Sequence, residues 1–402
     1  MVTLADIEAA GIRIGKQVFL SPCAHSESLS RLTGCNLFLK LENLQMTGSF
    51  KDRGSLNKIL QLSEVEKSAG VITASAGNHA QGVAHAARLN DIQATIVMPE
   101  TTPMAKIRGT RELGAEIVLH GESYDEAFEK ATELQQRNGH TLIHAFDDPA
   151  VIAGQGTIGL EILEQCANID IVVVPVGGGG LISGIATAIK TVRPDIRIIG
   201  VETERMPAMK RSVAANQVIP QHAANTLADG IAVATIGQHT LPIVRDLVSE
   251  IVTVSEDEIA YAVMELLERE KTLTEGAGAV GYAALRYDHI QGIAGKNIVT
   301  IISGGNIDMT LLAKLLERGL ETDGRITRLK VVVPDKPGSI AELAAIVADN
   351  HSNILQISQN RAVSEVRLEE TEVELVLETR GGDHVEKIIR SINNHQFIIK
   401  RG

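Results

Sequence analysis

The sequence predicts an α/β protein in which a parallel-sheet domain precedes a smaller ferredoxin-like domain. Two observations lead to this prediction. Between residues 36 and 303, short apolar runs alternate with helical patterns, and this alternation is typical of βαβ units around a buried parallel sheet. From residue 327 onward the order of elements becomes βαββαβ, which is the arrangement of the ferredoxin-like split unit.

The N-terminal part of the chain leads to a lysine-bearing loop. Residues 3–20 predict a short helix followed by an extended arm, and residues 27–33 predict a polar helix. A strand is predicted at residues 36–42. Residues 48–54, which read Gly-Ser-Phe-Lys-Asp-Arg-Gly, follow it as a polar loop, and a helix is predicted from about Ser55.

Two series of strands and helices follow this loop. In the first, we predict strands at 71–73, 94–98, 116–119 and 141–146, and helices ending near 89 and at 104–113, 124–137 and 150–166. In the second, we predict strands at 169–176, 197–202, 250–254 and 297–303, and helices ending near 190 and at 257–269. Each series has a glycine-rich turn after a strand, and ligands bind at this edge of open α/β sheets.

A change of pattern near the C-terminus indicates a second domain. A helix at 309–317 leads into a polar, glycine-containing stretch. Beyond it we predict strands at 329–333, 354–358, 373–377 and 397–400 and helices at 340–349 and 385–392. We therefore expect a first domain at 1–320 with a small subdomain inserted at about 45–147, a linker at 321–326 and a second domain at 327–402.

The composition excludes several classes of function. The formal net charge of −12 argues against nucleic acid or an anionic membrane surface as the main partner. No apolar run approaches the length of a membrane span, and the N-terminus shows no secretory signal. The three cysteines, Cys23, Cys35 and Cys166, have no metal-type spacing, so we expect reduced thiols in a cytoplasmic protein.

Lys51 is the first candidate catalytic residue. A lysine on a short loop can be held still and partly desolvated, which lowers its pKa and frees an amine to attack a carbonyl. An isolated lysine at a helix start is more often simply solvated. Three other stretches, considered together with Lys51, favour the chemical interpretation.

Glycine-rich and polar turns supply these three stretches. Gly177-Gly178-Gly179-Gly180-Leu181 lies between a buried strand and a helix, and its free N–H groups form a phosphate cradle. Its spacing matches neither the dinucleotide fingerprint nor the P-loop.

Ser75-Ala76-Gly77-Asn78-His79 also opens a helix and suits a carboxylate, with His79 interpreted as a packed histidine. Ser303 ends the last strand and is followed by Gly-Gly-Asn.

Pyridoxal 5′-phosphate, an aldehyde cofactor with one phosphate, would use all of these features together. They are a reactive lysine, a phosphate cradle, a carboxylate-binding helix start and a polar strand end. The four motifs, in this order, resemble the threonine/serine dehydratase branch of the fold-type II pyridoxal phosphate enzymes, over about residues 3–318. This fold is similar to that of the tryptophan synthase β subunit. Residues from about 327 resemble an ACT domain, with Asp335-Lys336-Pro337-Gly338-Ser339 as its first βα loop. The whole chain thus resembles the threonine ammonia-lyase family.

This resemblance implies a role for each motif residue. Lys51 corresponds to the lysine that forms the imine with the cofactor and acts as the catalytic base. The cofactor-binding residues implied are Phe50 beside the ring, Asn78 at the ring hydroxyl, Gly177, Gly178, Gly179, Gly180 and Leu181 at the phosphate, and Ser303 at the ring nitrogen. The loop that holds the substrate carboxylate corresponds to Ser75, Ala76, Gly77 and Asn78. Glu275 corresponds to a glutamate near the ring.

The resemblance also bears on cations, partners and assembly. Glu202 resembles a cation ligand of relatives, but Ala208 stands where some relatives carry a second carboxylate. We therefore expect no divalent metal site, and a monovalent cation on backbone carbonyls is left open. The family implies L-threonine and L-serine as substrates, an amino acid effector at the ACT domain, isoleucine synthesis as the pathway and a homotetramer.

Two alternative functions remain open from the sequence. The first is a serine dehydratase or serine racemase, which the relative rates on threonine and serine would distinguish. Ala76 argues against racemisation, because similar racemases carry a serine there that can reprotonate Cα. The second is a non-catalytic amino acid sensor, against which the intact Lys51, Asn78 and Ser303 argue.

Overall fold

The computed structural model describes residues 1–222, 224–360, 367 and 369–400. Its strands are β1 (Cys23–His25), β2 (Asn36–Leu41), β3 (Val71–Ala74), β4 (Ala94–Met98), β5 (Glu116–Leu119), β6 (Thr141–Leu142), β7 (Ile171–Pro175), β8 (Arg197–Thr203), β9 (Glu250–Val254), β10 (Asn297–Ile302), β11 (Ile326–Pro334), β12 (Asn353–Asn360), β13 (Glu370–Glu378) and β14 (Ile398–Lys400). Its helices are α1 (Leu4–Ile14), α2 (Glu27–Thr33), α3 (Lys51–Ile59), α4 (Glu64–Ala69), α5 (Asn78–Leu89), α6 (Met104–Glu112), α7 (Tyr124–Asn138), α8 (Pro149–Gln165), α9 (Gly180–Val192), α10 (Ala208–Ala215), α11 (Thr240–Leu247), α12 (Glu256–Glu270), α13 (Gly276–Arg286), α14 (Met309–Thr322), α15 (Ser339–Asp349) and α16 (Gly382–Asn394).

Two compact units, Met1–Leu312 and Ala313–Gly402, make up the chain. The first unit contains a six-stranded sheet in the order β1-β2-β10-β7-β8-β9, in which only β1 runs antiparallel to its neighbour. Its second sheet has the order β5-β4-β3-β6 and is entirely parallel. All strands of the second sheet lie between β2 and β7 in the chain, so this sheet is inserted into the first. The predicted α/β fold with parallel sheets is confirmed.

Burial on both faces explains the composition of the central strands. Every residue of β7 is buried, and its sequence is Ile-Val-Val-Val-Pro. Alternate residues such as Val172 and Val174 pack with α8 and α9 in one apolar core. A Cβ on Gly184 of α9 would lie only 2.4 Å from the carbonyl of Ile152 on α8, so these two helices are in close contact. This packing fixes the N-terminal end of α9 at the end of β7.

The helix that carries Lys51 begins earlier than the sequence predicted. Lys51 is the first residue of α3, whereas we predicted a loop up to about Ser55. Arg53 is 1% exposed, and its Nε donates to Glu42 at 2.8 Å while its Nη1 donates to Glu161 of α8 at 2.5 Å. These two bonds hold the first turn of α3 between the end of β2 and α8, and this tertiary pairing of a buried charge left no local signal.

Two further elements differ from their predicted lengths. β6 ends at Leu142, four residues before the predicted end at 146, because only its first two residues pair with β3. α14 continues to Thr322, past the predicted end at 317. By contrast, the bounds of α2, β4, β5 and β9 agree with the prediction, and the predicted capping box of Ser255 and Glu258 opens α12.

The second unit has the predicted βαββαβ order. Its antiparallel sheet has the order β12-β13-β11-β14. Buried side chains of β11 and β13 form one core with residues of α15 and α16, including Leu343 and Ile388. In the described parts of the chain, no helix is both long enough and apolar enough to cross a membrane.

Candidate active site

A cavity of about 460 Å³ lies at the carboxyl ends of β3, β7 and β10 in the first unit. All residues that the sequence analysis assigned to cofactor or substrate line this one cavity. They are Phe50, Lys51, Ser75, Ala76, Gly77, Asn78, Gly177, Gly178, Gly179, Gly180, Leu181 and Ser303. Stretches as far apart in the chain as Phe50 and Ser303 therefore form a single pocket.

The amine of Lys51 is positioned inside this cavity. Its Nζ donates to the carbonyl of Ala145 at 2.8 Å and lies 5.1 Å from the centroid of the Phe50 ring. Burial lowers the pKa of Lys51 to about 8, although the charge of Glu275 opposes this shift. An ammonium in an apolar surrounding loses hydration, so the neutral amine is favoured. About a tenth of the amine is therefore uncharged and nucleophilic at pH 7.

Backbone hydrogen bonds fix the loop before Lys51 to the end of β10. Phe50 donates its N–H to the carbonyl of Ser303 at 3.1 Å, and Gly305 donates to the carbonyl of Gly48 at 2.9 Å. Gly48 has φ +79°, a conformation that side chains disfavour, and it allows the loop to turn there. Ser303 is 3% exposed at the cavity wall. The lysine and this serine are thus held by the same pair of loops.

The four consecutive glycines form a tight turn between β7 and α9. Gly179 has φ +95°, and a Cβ there would lie 2.4 Å from Cε of Met209. A Cβ on Gly178 would lie 2.3 Å from the Phe146 ring. Larger residues would therefore clash at these positions. The first N–H groups of α9, which have no partner within the helix, are left available to an anion.

A second helix start, that of α5, lies on another wall. Gly77 is the N-cap of α5, and its N–H donates to Oγ of Ser75 at 3.2 Å. A Cβ on Gly77 would meet none of the described atoms within 4 Å, so the space in front of this turn is open. The positive end of a helix facing open space suits a carboxylate.

Asn78 and Glu275 both line the cavity and contact each other. Nδ2 of Asn78 donates to Oε1 of Glu275 at 2.7 Å. Oδ1 of Asn78 is buried and has no hydrogen-bond partner in the part of the chain that the structure describes. Burial, reinforced by the charge of Asp229, raises the pKa of Glu275 to about 8. Glu275 is therefore largely uncharged near neutral pH, and Asn78 presents an unsatisfied polar atom to a ligand.

His79 has the packed, hydrogen-bonded role that the sequence predicted. Its Nε2 is 2.9 Å from the carbonyl of Ile143, and its side chain is buried. Burial, with a smaller contribution from the charge of Lys51, lowers its pKa to about 3. The ring is neutral at physiological pH and donates to the carbonyl, which agrees with a structural role.

Several lining residues were not identified from the sequence. Phe146 lines the cavity and contacts the glycine turn. Lys106 and Asp229 form an ion pair at the cavity. None of these residues belongs to a glycine-rich motif, and each reaches the site through tertiary packing, so the sequence carried no local signal for them.

Glu202 lies outside this cavity wall and has its own partners. Its carboxylate accepts the N–H groups of Met209 and Lys210 at 2.8 and 2.9 Å, in the first turn of α10. Burial raises its pKa to about 7. Among the described residues, no group of three or more His, Cys, Asp or Glu side chains is arranged to hold a metal ion.

The residues of the cavity fit pyridoxal 5′-phosphate on three observations. The glycine turn at the start of α9 offers N–H groups where a Cβ would clash, which suits the phosphate. Lys51 offers an amine with a lowered pKa. Asn78 offers a buried amide oxygen that lacks a partner within the described residues.

Comparisons with known proteins agree with this fit. Residues 15–304 match the family "Pyridoxal-phosphate dependent enzyme", and residues 327–394 match the ACT domain. The chain is 48% identical over 392 residues to an L-threonine ammonia-lyase of Thermotoga maritima, with 97% of each chain covered. The processed form of threonine deaminase isoform 2 from Solanum lycopersicum superposes with TM-score 0.75 and 42% identity, covering 78% of this chain and 86% of that chain. Maize serine racemase superposes with TM-score 0.75 and 36% identity, covering 80% of this chain and 98% of that chain.

Proposed function

The chain belongs to the pyridoxal-phosphate dependent enzymes and carries a C-terminal ACT domain, and from this premise we propose that it is an L-threonine ammonia-lyase. It converts L-threonine to 2-oxobutanoate and ammonia, and L-serine to pyruvate and ammonia. The observation that carries this proposal is the amine of Lys51, with a pKa of about 8, in the same cavity as the glycine cradle and Asn78. The choice of threonine follows the relative of Thermotoga maritima.

Residues that line the cavity would hold the cofactor. The N–H groups of Gly177–Gly180 and Leu181 would bind its phosphate, Asn78 its ring hydroxyl and Ser303 its ring nitrogen, with Phe50 beside the ring. When bound, pyridoxal 5′-phosphate supplies an aldehyde for the substrate amine and a ring that withdraws electrons from Cα.

Lys51 and the start of α5 act on the substrate. The loop of Ser75, Ala76 and Gly77 binds the substrate carboxylate and so orients Cα toward the amine of Lys51. Lys51 takes the proton from Cα as general base. Its carbonyl partner Ala145 stabilises the ammonium that results, and this ammonium gives the proton to the β-hydroxyl, which leaves as water. The water lost in elimination is regained when the product is hydrolysed to the 2-oxo acid and ammonia.

Ser303 and Ala76 favour elimination over other outcomes. Ser303 would offer the ring nitrogen a neutral hydroxyl instead of an acid. The negative charge at Cα is then less delocalised, so the β-hydroxyl is lost promptly. The methyl side chain of Ala76 has no acidic proton that it could return to Cα. The similarity to maize serine racemase keeps serine racemisation as the second candidate, and a non-catalytic sensor is the third.

The ACT domain provides a separate site for an amino acid effector. Gly338 has φ +98° and caps α15, whose first residue is Ser339. Oγ of Ser339 is buried and makes no hydrogen bond to any atom within the described residues. This turn offers N–H groups and a hydroxyl to an amino acid carboxylate. Isoleucine, the end product of the pathway that starts from 2-oxobutanoate, is the expected inhibitor, and valine is expected to oppose it.

The remaining expectations concern assembly and location. We propose a homotetramer in the cytoplasm, where the free thiols of Cys23, Cys35 and Cys166 stay reduced. A monovalent cation held by backbone carbonyls is compatible with activity and would appear as a dependence of the rate on potassium or sodium.

A single titration tests the proposed function. The purified protein is expected to show the visible absorption of bound pyridoxal phosphate, and addition of L-threonine is expected to shift this absorption while 2-oxobutanoate accumulates. Oxidation of NADH by a 2-oxo acid reductase measures the product. A protein that stays colourless with added pyridoxal phosphate and forms no 2-oxo acid would contradict the proposal and favour the sensor.

A further inference from the structure

An ion pair between two distant parts of the first unit lines the cavity. Nζ of Lys106 lies 2.9 Å from Oδ2 of Asp229, and the two side chains are 19% and 47% exposed. Lys106 is in the first turn of α6, next to α5, and Asp229 opens a short 3₁₀ turn, Asp229–Ile231. Both residues line the same cavity as the carboxylate-binding loop.

The turn that carries Asp229 is fixed on two sides. A Cβ on Gly177 would lie 3.1 Å from Cα of Ile231, so the turn packs against the phosphate loop. A Cβ on Gly230 would lie 3.1 Å from Oε1 of Glu275, so the turn also packs against this glutamate of the cavity lining. The carboxylate of Asp229 therefore remains close to Lys106.

The carboxyl groups of Glu275 and Asp308 also interact electrostatically with Lys106. Glu275 is largely uncharged at neutral pH, since burial raises its pKa to about 8. Asp308 is also within electrostatic reach of Lys106, but its Oδ1 already accepts the N–H groups of Thr310 and Leu311 at 2.8 and 3.3 Å. Asp229 thus provides the direct neutralising partner of this lysine.

We propose that Asp229, by neutralising Lys106, makes the cavity specific for amino acids with uncharged side chains. This inference rests on the proposed elimination reaction. The substrate carboxylate and amine are bound by the start of α5 and by the cofactor, so the remaining walls face the side chain. An unpaired ammonium on such a partly buried wall would attract a second carboxylate on the substrate side chain, whereas the ion pair presents no net charge to that side chain.

Four variants of the holoenzyme test this inference. Asp229→Asn leaves Lys106 unpaired, Lys106→Gln leaves Asp229 unpaired, and the double variant removes both charges. Asp125→Asn is the matched control, because Asp125 also lines the cavity and its loss changes the net charge by the same amount as Asp229→Asn. We would measure kcat and KM for L-threonine and for L-threo-3-hydroxyaspartate, whose elimination gives oxaloacetate and ammonia. The inhibition constant of malonate provides a readout without turnover.

Opposite effects of the two single variants are the expected result. Asp229→Asn should lower the KM for hydroxyaspartate and the inhibition constant of malonate by about tenfold, with less change for threonine. Lys106→Gln should raise both constants, and the double variant and Asp125→Asn should remain near wild type. Equal losses on both substrates, or the same gain in Asp125→Asn, would overturn the inference. A wild-type enzyme inactive on threonine would contradict the proposed function instead, while the malonate measurement would still test the role of Asp229.

Discussion

The backbone N–H of Phe50 donates to the carbonyl of Ser303 over 3.1 Å, although 253 positions of the chain separate the two residues. Phe50 immediately precedes Lys51, and Ser303 immediately follows β10. The position of the reactive amine is therefore set by the central sheet. The same bond places the lysine and the proposed partner of the ring nitrogen in one pocket, which is where a single cofactor needs them.

Replacement of Lys51 tests the catalytic assignment. Lys51→Ala removes both the amine for the cofactor and the base for Cα, so we expect a loss of kcat of about a thousandfold or more. The rate of 2-oxobutanoate formation from L-threonine measures this loss. Lys58→Ala on the same helix is the control, since Lys58 instead pairs with Asp148. Near wild-type turnover in Lys51→Ala would refute the assignment.

The pH dependence of cofactor uptake tests the environment of Lys51. Only the uncharged amine reacts, and the pKa of about 8 leaves about a tenth of it uncharged at pH 7. The rate at which cofactor-free protein gains visible absorption should rise about tenfold per pH unit below this pKa and level off above it. Because the part of Glu275 that is ionised near pH 8 raises the pKa of Lys51, Glu275→Gln should move the inflection to lower pH. A rate that still rises tenfold per unit beyond pH 9 would contradict the lowered pKa.

Gly178→Ala tests the glycine cradle. The added Cβ would lie 2.3 Å from the Phe146 ring, so the loop must shift. Overpacking of this kind costs about 1–3 kcal/mol, and we expect pyridoxal phosphate to bind roughly tenfold to a hundredfold more weakly. Equilibrium dialysis measures this affinity. Phe146→Leu added to Gly178→Ala should restore part of it, and a failure of this second change to help would show that the contact is not the cause.

Local sequence patterns were sufficient for much of the fold and for the prediction that the residues of the glycine-rich motifs share one site. β7 was predictable because a run of β-branched residues fits a strand buried on both faces. The same full burial caused the helix α13 to be missed. All of α13 from Gly276 to Leu285 is buried, so it has no polar face and no amphipathic period. Its glycines also lower the helical propensity that a local reading would detect.

The parts of the site that were not predictable depend on long-range contacts. Lys106 and Asp229 are 123 positions apart, and neither stands in a recognisable motif. The early start of α3 depends on the pairing of Arg53 with Glu161, which lies on another helix. Each of these features depends on the tertiary arrangement, because the sequence around a charged residue does not show which distant residue it pairs with.

Ala76→Ser tests why elimination is favoured. A hydroxyl at this position, in the loop that opens α5, could return a proton to Cα. We expect the ratio of D-serine formation to pyruvate formation from L-serine to rise severalfold in this variant. Chiral chromatography and a pyruvate assay provide the two rates. Ala76→Gly, which adds no hydroxyl, should leave the ratio unchanged. If Ala76→Ser formed no more D-serine than wild type, Ala76 would not determine the outcome.

Separation of activity from regulation tests the ACT domain. The two compact units divide near residue 312, and the βαββαβ unit has its own core. A chain that ends at residue 325 should therefore keep its activity on L-threonine and lose its response to isoleucine and valine. In the full chain, Ser339→Ala should raise the isoleucine concentration for half-inhibition by roughly fivefold to tenfold, because it removes one hydrogen-bonding group from the turn at the start of α15. Ser391→Ala, near the end of α16, is the matched control and should behave as wild type. An intact isoleucine response in the truncated enzyme would place the effector in the first unit and remove the regulatory role from the ACT domain.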